Sequence, residues 1–167
     1  MRHTVWILIV LAGTGSGQWR RFGDEQRSIV SAPLSREMLV AHNEVRSQIG
    51  VTPLSWSEKL AALSQEWADL LVARQQFVHR PKSKYGENLF EISGANASAG
   101  QVVKAWASES KNYDHPANSC RSVCGHYTQI VWRDTKEVGC AVARGAGREV
   151  WVCNYSPPGN WIGKRPY

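Results

Sequence analysis

The sequence predicts an α+β domain in which three helices precede an antiparallel sheet. Two observations carry this. Apolar residues recur at helical spacing through the first two thirds of the chain, and β-branched and aromatic runs separated by turn residues fill the last third. Strands that alternated with helices would instead indicate a parallel, doubly wound sheet. With 167 residues, 43% apolar and 20% charged, the chain has the size and composition of one globular domain with a core of its own.

The elements follow in order. Arg2 and His3 precede the apolar run Val5 to Ala12, which gives way to Gly13, Thr14, Gly15, Ser16 and Gly17. This is the pattern of a secretory signal peptide over 1–17, too short to cross a bilayer. An uncleaved interfacial anchor is the alternative. Residues 18–34 are polar and aperiodic, a loose lead-in, and the domain proper is expected over 35–167. The first helix follows Ser35 and carries Met38, His42, Val45 and Ile49 on one face until Gly50 and Pro53 break it. A second helix starts at Ser55 or Ser57, buries Leu60, Leu63, Trp67, Leu70 and Leu71, and runs to about Gln76, with His79 just beyond. Turn-rich Arg80 to Gly86 and small-residue-rich Ser93 to Gly100 lead to a third helix through Val102, Val103 and Trp106 toward Lys111, carrying Glu109. Strands are expected at Tyr127 to Trp132, Val138 to Ala143 and Glu149 to Tyr155.

Export into an oxidising compartment makes the four cysteines candidates for disulfides. Cys120 and Cys124 are near enough to close a short loop, which leaves Cys140 to pair with Cys153 across a hairpin. On the chain-entropy account these bridges contribute about 2 and 3 kcal/mol. Zinc is the alternative use of a C-x3-C pair, but no histidine follows at finger spacing and Cys140 stands alone. The net charge of +6 becomes +5 without the signal peptide, and the basic residues are scattered. Arg20 with Arg21, Lys82 with Lys84, and Lys164 with Arg165 form no dense stripe, and no nucleic-acid motif accompanies them. A solvated, solubilising face is the reading they support.

Two histidines, His79 and His126, and two carboxylates, Glu87 and Glu109, carry the chemistry most worth weighing. If they converge, neutral imidazoles suit zinc or copper, and the carboxylates can ligate, orient the rings or act as a base. Spacing alone does not bring them together, and each histidine can equally cap a helix or pack. Neither H-E-x-x-H nor G-x-S-x-G is present.

Two blocks, G-H-Y-T-Q-I-V-W at Gly125 to Trp132 and C-N-Y-S-P-P-G-N-W at Cys153 to Trp161, closely resemble the hallmark blocks of the CAP superfamily. That group comprises cysteine-rich secretory proteins, antigen 5 and pathogenesis-related protein 1. H-N-E-V-R at His42 to Arg46, L-S-W at Leu54 to Trp56 and G-E-N-L at Gly86 to Leu89 agree in order, and the plant pathogenesis-related type is the nearest in look. The resemblance implies a three-layer α-β-α sandwich with a central antiparallel sheet. It also implies a cleft in which His79 and His126 hold zinc or another divalent ion, with Glu87 and Glu109 near them. A third bridge found in plant relatives is missing, Gln75 and Gly145 standing at about its positions.

For function, the resemblance implies a secreted, extracellular protein, periplasmic or cell-wall associated if bacterial. The leading expectation is a non-catalytic binder of sterols or other lipids, or a defence protein acting at a cell surface or wall. Two alternatives stand beside it. One is a metal-dependent peptidase using Glu87 or Glu109 as base, although two histidines fall short of the three protein ligands usual for catalytic zinc. The other is a precursor that releases Pro157 to Tyr167 as a signalling peptide; the same residues also suit a rigid turn after a strand. Asn96-Ala97-Ser98 is a sequon, whereas Asn154-Tyr155-Ser156 lies in an expected strand.

Overall fold

The computed structural model describes residues 21–167, with side chains from Pro33 onward; the expected signal peptide lies outside the described residues. In chain order the elements are α1 (Arg21–Ser47), β1 (Ser55–Trp56), α2 (Glu58–Ala73), β2 (Gly86–Ser93), α3 (Ala99–Ala107), a 3₁₀ turn (Ser108–Asn112), β3 (Tyr113–Asp114), β4 (Ser119–Cys120), α4 (Gly125–Ile130), β5 (Glu137–Gly145) and β6 (Arg148–Ser156). The main sheet runs β1-β5-β6-β2. β2, β5 and β6 are antiparallel, while the two residues of β1 lie parallel to β5, the one departure from the antiparallel sheet expected.

Strand β6 explains the layering. Its side chains alternate between two cores: Trp151, Cys153 and Tyr155 pack with Met38, Val102, Val103, Trp106 and Ile130 from α1, α3 and α4. Val150 and Val152 pack on the other face with Trp67, Ala68 and Leu71 of α2. Both faces being covered, residues 149–155 are buried without interruption. The result is the α-β-α sandwich.

Several elements differ from the sequence expectation. Helix α1 begins at Arg21, well before Ser35, and contains Pro33, which removes one helical hydrogen bond. Its buried stripe is Met38, His42 and Arg46, so a charged side chain holds a core position while Val45 and Ile49 are only partly covered. Strand β2 forms between turn-rich Arg80 to Gly86 and small-residue-rich Ser93 to Gly100, where the sequence predicts no element. Helix α2 starts after Ser57, as one of the two expected caps, but ends at Ala73. Helix α3 is closed by a capping box between Ser98 and Gln101, a device contributing about 1 kcal/mol. It stops at Ala107, so Glu109 sits on the 3₁₀ turn.

The largest correction concerns Tyr127 to Trp132, expected as a strand. Residues 125–130 form α4. A short, wholly buried run in which Thr128 and Gln129 are covered along with the apolar residues has no periodicity by which helix and strand can be told apart. Here the decision is tertiary, because the Glu109 carboxylate accepts the amide protons of His126 and Tyr127 at 3.0 and 3.3 Å and so caps the helix start.

Both expected disulfides are present, Cys120 to Cys124 and Cys140 to Cys153, the latter joining residues directly opposite in the β5-β6 ladder. Asn96 is exposed, as a glycan acceptor must be. Asn154 is buried and donates to Ser64 Oγ at 2.7 Å, which closes it to modification.

Candidate functional site

The four residues form two pairs built alike. In the first, His79 Nδ1 lies 2.7 Å from Glu87 Oε1. Glu87 is the second residue of β2 and its side chain is 5% exposed, whereas that of His79 is 65% exposed. The segment after α2 is held in place from below: Trp67 Nε1 donates to the Val78 carbonyl at 3.1 Å, and Arg80 donates to the Leu63 carbonyl at 3.0 Å while covering the Trp67 ring. The Arg80 amide also donates to Glu87 Oε1. The hydrogen bond to Glu87 raises the His79 pKa above its ordinary value, against the opposing effect of partial burial.

In the second pair His126 Nδ1 lies 2.7 Å from Glu109 Oε1, while Oε2 of the same carboxylate caps α4. The imidazole stacks on the Trp106 indole, ring centroids 6.1 Å apart. With each carboxylate accepting from Nδ1–H, Nε2 is the ring nitrogen that can offer a lone pair when the ring is neutral. This is the arrangement by which carboxylates fix metal-binding histidines.

Asn88 ties the two pairs together. It follows Glu87 in β2, and its amide donates to the His126 carbonyl and to the Tyr155 hydroxyl, each at 3.1 Å. The Tyr155 hydroxyl donates onward to His42 Nε2 at 2.8 Å, and His42 Nδ1–H donates to the Met38 carbonyl at 2.7 Å. That assignment requires a neutral His42, and burial lowers its pKa to about 4. His42, Asn88 and Tyr155 thus form a buried polar spine behind the site. His42 was legible only as one position of a helical stripe and Asn88 only as part of a motif; partners 67 and 113 residues apart leave no local signal.

A second grouping has to be set aside. His42 and the sulfurs of Cys140 and Cys153 lie within 4.8 Å of one another, close enough in principle for a metal. Both sulfurs are spent in a disulfide and both ring nitrogens of His42 are hydrogen-bonded, so this cluster offers no ligand.

The segment after β6 is fastened to the body. Thr135 Oγ1 donates to the Pro157 carbonyl, the Gly159 amide to Gln129 Oε1, and the Arg133 amide to the Pro166 carbonyl. Tyr167 stacks on His115 and shares a hydroxyl hydrogen bond with Tyr127. Release of this segment would therefore break native contacts in addition to a peptide bond.

Elsewhere, a groove of about 640 Å³ lies between α1 and α2, lined by Leu34, Trp56, Ala61, Ala62 and Ala141 and rimmed by Glu58, Glu66 and Asp69. None of the four paired residues lines it.

The profile of the cysteine-rich secretory protein family, CAP, matches residues 39–155. Pathogenesis-related protein 1A of Nicotiana tabacum is 46% identical over 135 residues, covering 79% of this chain and 80% of that protein. Pathogenesis-related protein 1 of Arabidopsis thaliana is 45% identical over 128 residues, covering 76% and 78%. Among solved structures, Schistosoma mansoni venom allergen-like protein 4 superposes with a TM-score of 0.67 at 26% identity, over 80% of this chain and 92% of that one. The structure of NaASP2 with Zn2+ does so with 0.68 at 23% identity, over 82% and 86%, a likeness of fold. Fold, both hallmark blocks and the matched profile agree that this chain belongs to the CAP, or cysteine-rich secretory protein, family.

Proposed function

We propose that the chain is a secreted, non-catalytic CAP protein that binds a sterol or related lipid and whose two His–Glu pairs serve as ligands to a divalent cation. The observation that carries the non-catalytic reading is the use made of the carboxylates. Glu109 spends both oxygens on His126 and the start of α4, and Glu87 spends Oε1 on His79 and the Arg80 amide. The remaining oxygen of Glu87 is buried away from solvent. Glu109 has no oxygen left to activate water, and the unpartnered oxygen of Glu87 does not face solvent, which weighs against the peptidase alternative.

The donor set fits a borderline cation such as Zn2+ or Cu2+, for which neutral imidazole is a suitable ligand. The cation would be held at Nε2 of His79 and His126, with Glu87 and Glu109 fixing the rings. Because a proton competes for the same lone pair, and the His79 pKa is raised, affinity for the cation is expected to fall as pH drops. Size and an apolar floor of Leu34, Trp56, Ala61, Ala62 and Ala141 beneath a polar rim support the groove between α1 and α2 as a place for an amphipathic lipid, since small-molecule sites span roughly 300–1,000 Å³.

The test is equilibrium binding of a labelled sterol to the oxidised protein with and without chelator, alongside zinc titration of the protein and of His126→Ala. Saturable sterol binding that survives chelation, with zinc binding weakened in the variant, is expected. Absence of sterol binding under both conditions would overturn the lipid reading; zinc affinity unchanged in His126→Ala would overturn the metal reading.

A further inference from the structure

Among the described residues, three of the six large apolar side chains left exposed lie at one corner: Val123, Trp161 and Ile162. There the C-terminal segment crosses the start of α4. Asn160 Nδ2 donates to the Gly125 carbonyl at 2.9 Å, and its Oδ1 accepts from Thr128 Oγ1 at 2.7 Å. Trp161 and Ile162 therefore follow directly on a residue clamped two positions from Val123. Ile162 has no cover at all, and Trp161 and Val123 are 56% and 64% exposed.

This apex is held out by its own backbone. The Lys164 amide donates to the Trp161 carbonyl at 3.0 Å, closing a turn, and Trp161 Nε1 donates to the Pro158 carbonyl at 3.0 Å. Beyond the turn, Asn118 donates to the Lys164 carbonyl and Pro166 is buried. A loop pinned on both sides thus presents a half-exposed indole and a wholly uncovered aliphatic side chain. Exposed Lys164 and Arg165 follow in the same segment, and Arg121 lies two residues before Val123. Arg121 is paired with Asp114 at 2.7 Å and Arg165 donates to the Pro116 carbonyl at 3.0 Å, whereas the Lys164 ammonium has no partner among the described residues.

A tryptophan beside an aliphatic residue and followed by the cations Lys164 and Arg165 suits the boundary of an anionic bilayer. The indole sits at headgroup level, the aliphatic chain enters the acyl region, and the cations meet lipid phosphates. The net charge, +6 for the full sequence and +5 without the expected signal peptide, has the complementary sign. We propose that Val123, Trp161 and Ile162 form a docking tip for an anionic membrane surface, a contact distinct from any lipid-binding groove.

The experiment is co-sedimentation of the purified, oxidised full chain with vesicles of phosphatidylcholine alone and of phosphatidylcholine with phosphatidylserine. Both are free of sterol, so that failure here is separate from failure of the sterol reading. Binding to the phosphatidylserine vesicles, weakened by salt and several-fold poorer on phosphatidylcholine, is expected. Ile162→Ser with Trp161→Ser should lower the partition coefficient about tenfold or more, with the circular dichroism spectrum unchanged. Lys164→Glu, which leaves the apolar tip in place, should lower it on phosphatidylserine vesicles alone. Equal binding by the double variant, or no binding by the parent, would overturn the proposal. So would a concentration-dependent dimer abolished by the same substitutions, which would assign the tip to a second copy of the chain.

Discussion

Acidification tests the buried spine through His42. The ring is wholly buried, gives Nδ1–H to Met38 and accepts from Tyr155 at Nε2. A second ring proton would face a hydroxyl that already accepts from Asn88, and the new charge would sit near Arg46. Burial is the main cause of the lowering to about 4, from 6.5. The unfolded chain therefore takes up this proton near its ordinary value while the folded one resists it until about 4. Stability from this group is full above the unfolded value, declines as pH falls through that window and levels off below it. At about 1.4 kcal/mol per unit the loss is on the order of 3 kcal/mol, a large share of the roughly 5–15 kcal/mol that holds a domain of this kind together. The assay is urea unfolding at steps from neutral pH down to about pH 4, for the parent and for His42→Gln. The glutamine cannot titrate, so the variant should be weaker at neutral pH by about 1–3 kcal/mol yet lose less on acidification. His79, whose pKa is raised, gives the opposite trend: its contribution is present below the unfolded value and lost as pH rises through the folded one. It is common to both proteins and cancels in the comparison. Identical pH slopes for the two would refute the reasoning.

Two further substitutions probe the frame around the site. Arg46, also wholly buried, donates to the carbonyls of Thr52, Ile130, Trp132 and Thr135, joining α1 to the end of α4 and the turn before β5. Arg46→Lys keeps the charge but not the fork and should cost about 3 kcal/mol in urea unfolding, a loss under about 1 kcal/mol arguing against this role. Gly139 passes so close to α2 that a Cβ would strike the Ala61 amide nitrogen and the Ser57 carbonyl, so Gly139→Ala should cost about 2–3 kcal/mol or prevent folding. Gly100→Ala meets nothing within 4 Å inside α3 and should stabilise by up to about 1 kcal/mol; thermal unfolding distinguishes the two.

The sequence by itself determined what local chemistry and repeated spacing can carry. The face of α2, the two long strands β5 and β6, the cysteine pairs and the family all followed from periodicity, turn residues and two near-contiguous blocks. Of the four candidate site residues only His126 stands in one of those blocks and Glu87 in G-E-N-L; His79 and Glu109 came from the family resemblance, and the pairing of each histidine with a glutamate was not readable. Only the tertiary structure decided whether residues 125–130 coil or extend, since a carboxylate seventeen residues away caps their amides. It also decided that Arg46 belongs to the core, because its charge is tolerable there only with the nearby Thr52 carbonyl and three carbonyls from a distant segment, those of Ile130, Trp132 and Thr135, around it. And it decided that His79 and His126 each meet a glutamate, and that Asn88 joins the His126 backbone through Tyr155 to a neutral His42. The physical reason is common to all three: a buried polar group is stable only when its partners are supplied, and a sequence does not record which distant partners the fold will bring.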